Sequence, residues 1–397
     1  MLKKALFSAF LVGFALTANA QIATPQLDTG FHSYSGAAAG WRYNSSIDIV
    51  GLSAEGKTEY EGEESGDVKA GLPAKGPDES GSIPFLLAAY RGETWGAELY
   101  TNLTSGLNSD IEIDLNITGG LDTMNIYKEE KEKRLNLAYV FGEMLSVGLG
   151  YSSINLENKY EVDAASAVFP VIDPSTGAVL GSTTTTIDID LTKKFTTTAL
   201  GLSASLRMAD MFFIAAGMEN VNQTGTYEQE AILNVTGVGT FTDSVGTDYV
   251  ENSWTNTMYG LGVVYGEPDE TQFRMEYSVI SSPKSEKDAD GDKKASDHPA
   301  TTTTFATLEV KWNNVLIAYQ NEVEKEEELN DNDSESVTTL MGLGWQPMEG
   351  LTVSLYSFNR EVTMNVANVS VAGVTSYAVE EIKVKPSGFR IFLGYNF

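Results

Sequence analysis

The chain contains no cysteine and only two histidines, His32 and His298, in 397 residues. The first absence excludes disulfides, thiolate zinc sites and a cysteine nucleophile. The second leaves no placed base for a Ser–His–Asp triad and no His-rich metal site. Proline is scarce at 11 residues, so little of the chain is barred from extended ladders. Basic residues are also few, 26 Lys+Arg against 55 Asp+Glu, which excludes a phosphate-binding patch for nucleic acid. After residue 20 no apolar run is long enough for a transmembrane helix, which needs about 20 residues. No phosphate loop, dinucleotide fingerprint or nucleophile elbow stands in a suitable context. An enzyme is therefore not expected.

The first 20 residues read as an export signal. Lys3 and Lys4 form a basic start, Ala5–Leu16 a short apolar core, and Ala18-Asn19-Ala20 a small-x-small cleavage site. Residues 21–40 then precede the fold proper, which is expected to run over 41–397.

In that region apolar residues recur with period 2, the signature of half-buried strands. Phe273, Met275, Tyr277 and Val279 alternate with Arg274, Glu276 and Ser278. Phe389, Ile391, Leu393 and Tyr395 alternate with Arg390, Phe392, Gly394 and Asn396. Short connections at 91–93, 142–143, 208–210, 266–270, 313–314 and 346–350 alternate with long acidic ones at 54–81, 104–121, 160–184, 223–248, 281–301, 324–336 and 363–376. Short and long turns in strict alternation describe an all-β, single 14-stranded antiparallel transmembrane barrel of the bacterial outer membrane. Length alone suggested several domains; periodicity reduces them to one.

Aromatics gather beside the short turns: Tyr90, Trp95, Phe141, Phe212, Phe213, Tyr265, Trp312, Trp345 and Tyr395. Rings with a polar edge suit the headgroup level, so they read as the periplasmic girdle. A final strand ending at Phe397 resembles the motif by which outer-membrane proteins are handed to the barrel-assembly machinery.

Choosing the phase opposite the greasy one assigns Glu98 and Tyr100 to the lumen on strand 3, Arg274 and Glu276 on strand 9, and Glu309 and Lys311 on strand 10. It adds Gln320 and Glu322 on strand 11, Tyr356 and Phe358 on strand 13, and Arg390 and Phe392 on strand 14. These side chains form either a set of mutually paired charges or a polar constriction with an aromatic path beside it. No cofactor is expected. One acidic loop, with Asp288, Asp290, Asp292 and Asp297 after Glu286 and around Gly291, has spacing close to a calcium loop, although Lys287, Lys293 and Lys294 intrude. The remaining acidic loops read as solvated surface next to lipopolysaccharide.

Three stretches carry a family likeness. Ile83–Tyr90 with Glu93–Leu99, Leu135–Tyr139 with Leu145–Tyr151, and Leu343–Pro347 through Leu351–Tyr356 resemble hairpins of the outer-membrane long-chain fatty-acid transporter (FadL-like) family. The resemblance implies passive uptake of long-chain fatty acids or aromatic hydrocarbons, gated by an N-terminal hatch, with a lateral exit at a kink in strand 3. Here Gly96 occupies strand 3, the Asn-Pro-Ala hatch motif is absent, and residues 21–40 make at most a reduced hatch. Two other readings stand beside it: a water-filled porin with cation preference, and a structural or adhesive barrel acting through its acidic loops.

Overall fold

A computed structural model of the chain describes residues 36–41, 45–56, 58–61, 78–102, 107–114, 121–142, 144–172, 179–209, 211–235, 239–266, 271–283, 300–327, 334–348, 350–365, 369–370, 376–377, 381–385 and 387–396. Fourteen antiparallel strands close into one barrel. They are β1 (Ser46–Gly56, continued as Thr58–Glu61), β2 (Asp78–Arg91), β3 (Trp95–Asn102, continued as Leu107–Asp114), β4 (Leu121–Phe141), β5 (Leu145–Ile172), β6 (Val179–Met208) and β7 (Phe212–Val235). The second half is β8 (Gly239–Gly266), β9 (Thr271–Ser282), β10 (Ala300–Trp312), β11 (Val315–Glu327), β12 (Ser334–Met348), β13 (Leu351–Asn365) and β14 (Glu381–Val384, then Ser387–Asn396). Each strand pairs with its sequence neighbour, and β1 closes on β14 from Ser46↔Asn396 to Glu55↔Ser387. Closure leaves no unpaired sheet edge in lipid, where each orphan N–H or C=O costs several kcal/mol.

The alternation of burial follows the alternation of the sequence. On β9, Phe273, Met275 and Tyr277 are exposed outward while Gln272, Arg274, Glu276 and Ser278 are buried inward. The outward set on β8 is Tyr259, Leu261 and Tyr265, and on β14 it is Phe389, Ile391, Leu393 and Tyr395. Together these side chains make a continuous apolar belt facing the bilayer. Tyr90, Trp95, Phe141, Phe212, Tyr265, Trp312, Trp345 and Tyr395 of the expected girdle are exposed, and Tyr90 stacks on Trp95 with ring centroids 4.5 Å apart. Phe213 departs from that expectation: it faces inward, because in a Phe-Phe pair on one strand only one ring can meet the lipid.

Among the described residues of the short connections, Gly142, Gly266 and Gly350 take φ of 62°, 97° and 80°, where a side chain would strain the backbone. The long connections differ from expectation. β5 reaches Ile172 and β6 starts at Val179, while β7 reaches Val235 and β8 starts at Gly239, so 160–184 and 223–248 are largely strand. Outside the lipid neither face needs to be apolar, so the period-2 signal fades while the backbone ladder continues. Polar cross-strand pairs join these strands above the belt. The Thr196 hydroxyl donates to Asn155 Oδ1 at 2.9 Å, and the Thr255 hydroxyl to Asn220 Oδ1 at 2.9 Å.

Inside, glycines make room for large lumen side chains. The Tyr356 ring lies over Gly342 on the neighbouring strand, where a Cβ would overlap the ring. Leucine at position 342 should therefore lower the denaturant midpoint, with an overpacking cost of about 1–3 kcal/mol. Alanine at Gly201, where a Cβ makes only ordinary contacts, should shift it by less than about 0.5 kcal/mol. Equal shifts in the two variants, read by urea titration of the folded and unfolded gel bands, would contradict this packing.

Candidate functional site

Two features occupy the lumen. The first is a 3-10 turn, Gly36–Trp41, at the end of the barrel that carries the short connections. Residues expected to lead directly into strand 1 near Trp41 instead form this turn, and β1 begins at Ser46. Ala37, Ala38, Ala39 and Trp41 are all buried. The Ala37 N–H donates to Ser203 Oγ on β6 at 2.9 Å, and the Ser146 hydroxyl on β5 donates to the Ala37 carbonyl at 2.8 Å. Trp41 packs in an apolar cluster with Val140 on β4, Phe213 and Ala215 on β7 and Val264 on β8. Its ring meets Phe213 edge-on, with centroids 5.9 Å apart, and the Arg207 guanidinium lies over Phe213 at 5.6 Å.

Small residues make this seat. A Cβ at Gly96 of β3 would overlap the Ala39 carbonyl oxygen, and one at Gly40 would overlap the Ser146 hydroxyl. Gly96 is thus a point where another backbone comes within touching distance of a strand, one of the recognised uses of a strand glycine. Reading the sequence alone associated Gly96 with a kink; its neighbour in space is the N-terminal turn.

The second feature is a polar and aromatic layer on β9 to β14. At one level of the sheet the inward positions run Arg274, Glu309, Ala318, Gly342 and Tyr356 on successive strands. Arg274 and Glu309 form a buried ion pair, with side chains 4% and 3% exposed. Opposite charges directly across a ladder and out of water are held by Coulomb attraction that must offset their desolvation. Tyr356 is 1% exposed, is hydrogen-bonded to Ser354, lies within electrostatic reach of Glu309 and Arg274, and packs edge-on against Phe392 with centroids 5.1 Å apart. One step toward the long connections the row is Glu276, Thr307, Gln320, Leu340 and Phe358, all buried. Above it Arg360 donates from Nε to Ser336 Oγ at 2.7 Å and pairs with Glu324 at 3.7 Å.

The other expected lumen residues sit apart from this layer. Glu98 accepts a hydrogen bond from Asn136 Nδ2 at 3.1 Å, and the Tyr100 ring lies 5.8 Å from the Arg134 guanidinium, both on the β3–β4 wall. Lys311 is half-buried, level with Gln272 and nearer the short turns. Arg390 holds the register position opposite Tyr356, and nothing of its side chain is described. Asp288, Asp290, Asp292 and Asp297 fall outside the described residues, as does Phe397. The Trp41 seat was not singled out from the sequence. Its signal was there in Ser203 and Ser205 alternating with Leu202 and Leu206, since a lumen face of small residues leaves room for something else.

Above the belt, beyond Leu200, Lys193 points inward on β6 and is buried; burial pushes its ammonium down to about 7. Such a group changes charge in the physiological range.

No family model matches the chain, and no curated protein matches it in sequence. Solved structures do. The toluene transporter TodX of P. putida superposes with a TM-score of 0.51 at 12% identity, covering 92% of this chain and 95% of that one. A deltaS2S3 mutant of the TodX monoaromatic hydrocarbon channel gives 0.50 at 9% identity, covering 94% and 96%. A FadL homologue of Pseudomonas aeruginosa gives 0.49 at 12%, covering 93% of each chain.

Trp41→Ala removes the aromatic anchor, a loss of about 3–5 kcal/mol for a buried ring, and Gly96→Leu drives a side chain into the Ala39 carbonyl. Either change should speed amide hydrogen exchange across residues 36–41 while β9–β13 keep wild-type protection. Unchanged protection of 36–41 would mean the turn is not held by this seat. At the level of the fold, this chain is a 14-stranded antiparallel β-barrel similar to that of the toluene transporter TodX.

Proposed function

We propose that the barrel is a passive channel for small hydrophobic molecules crossing the outer membrane into the periplasm. The observation that carries this reading is the Gly36–Trp41 turn, seated against the inner wall near the short-turn end and nearly all apolar. A stopper of alanine, glycine and tryptophan blocks hydrated solutes, while its two side-chain hydrogen bonds, to Ser203 and from Ser146, are a weak tether. Two such bonds are worth about 1–3 kcal/mol in total, so most of the seating energy is apolar. A hydrophobic molecule arriving in the lumen competes directly with that apolar contact. The solved relatives in fold are named as a toluene transporter and monoaromatic hydrocarbon channels, which supports the same substrate class here.

In this reading the Arg274–Glu309–Tyr356 level is the constriction, with Tyr356, Phe358 and Phe392 as its apolar side. Residues 21–40 act as a reduced hatch, residues 1–20 as the export signal, and the polar strand extensions meet lipopolysaccharide. Aromatic hydrocarbons suit the constriction better than long-chain fatty acids, whose carboxylate would pass Glu276, Glu309 and Glu322 with Arg274 already engaged by Glu309.

Cells whose own hydrocarbon channels are deleted test the proposal. Expressing the chain should raise the initial uptake rate of toluene severalfold and leave that of a small hydrophilic sugar unchanged. The opposite pattern, faster sugar and unchanged toluene, would replace the proposal by the porin reading.

A further inference from the structure

Between the Arg274–Glu309 level and the Arg360–Glu324 pair sits a side chain that the channel reading does not need. Gln320 on β11 is 2% exposed, yet neither its Nε2 nor its Oε1 has a hydrogen-bond partner among the described residues. A buried amide left unmet destabilises the fold. A leucine would fill similar space at no such cost, and the position directly across on β12 is a leucine, Leu340. A buried polar group without a partner inside a transport lumen points to a ligand that supplies the partner.

The surroundings define the ligand. Thr307 lies across the ladder on β10, and Ala318 and Glu322 flank Gln320 on the inward face of its own strand. Two strands along the same row stands Phe358, about 10 Å away by strand spacing. Tyr356 and Phe392 continue that aromatic wall one level below and beyond. One six-membered ring with one substituent, lying over Leu340 of the intervening strand, matches that distance and meets the aromatics edge-on or offset. An amide offers donors and an acceptor together, which matches a hydroxyl, itself donor and acceptor. A carboxylate uses the donors alone and meets Glu276, Glu309 and Glu322. A plain hydrocarbon leaves the amide unmet.

Resting on the channel reading above, we propose that Gln320 is a specificity-determining residue. Its amide takes the hydroxyl of a small neutral aromatic molecule of the phenol class, while the ring lies along Phe358, Tyr356 and Phe392. The preference runs phenol, then toluene, then benzoate.

Transport of those three probes into proteoliposomes holding the full-length barrel tests this, with Gln320→Leu and, as a second apolar replacement, Gln320→Met. Folding of each variant is checked by its heat-modifiable gel shift. In the wild type, phenol flux should exceed toluene flux under equal gradients, with benzoate slowest. Either substitution should cut protein-dependent phenol flux about tenfold, equivalent to about 1.4 kcal/mol, and leave toluene within about twofold. If phenol and toluene fall together, or if neither changes, the amide is served by water alone and the assignment is wrong, although the channel stands. If the wild type carries none of the three above protein-free vesicles, the channel reading fails and the assignment fails with it.

Discussion

A backbone that crosses lipid as strands has nowhere to put an unpaired N–H or C=O. Each such group left in hydrocarbon costs several kcal/mol, and a single open edge would present a row of them. Pairing Ser46–Glu55 of β1 with Ser387–Asn396 of β14 is what discharges that cost. Everything else in the molecule follows from the closed ladder. Once closed, the period-2 geometry of the strand divides every residue between lipid and lumen, so polar side chains at membrane depth have only the interior to occupy. Arg274, Glu309, Glu276 and Gln320 are buried together for that reason.

The interior is then a place of conflict. Charges taken out of water must pair: Arg274–Glu309 do so across one ladder, and Arg360–Glu324 over the intervening strand β12. Aromatic rings must fit between them, which Gly342 permits by yielding its side-chain space to Tyr356. At the short-turn end the wall of β4–β8 presents the small residues Ser146, Ser203, Ala215 and Val264, and the Gly36–Trp41 turn packs into the room they leave.

Much of this was legible beforehand. The 14 strands and the lipid-facing phase followed from period-2 alternation and from the alternation of short and long connections, because lipid punishes every polar outward residue. The lumen phase of Tyr356, Phe358 and Phe392 came from the same rule. What escaped is instructive. The strand extensions from Glu161 to Ile172 and Gln223 to Val235 lie outside lipid, where hydrogen bonding alone maintains a strand and no pattern is imposed. The seat of Trp41 depends on Ser146, Ser203, Phe213 and Val264, brought together from four strands, a juxtaposition that no local window contains. Gln320 was visible as an inward polar residue, but its lack of a partner is a property of its neighbours.

Conductance in planar bilayers tests the stoppered barrel most directly. The full-length protein should show negligible steady conductance, and a version lacking Gly36–Trp41 should open discrete, long-lived ion-conducting steps. A large, steady conductance from the full-length protein, unchanged by the deletion, would contradict a lumen closed by that turn.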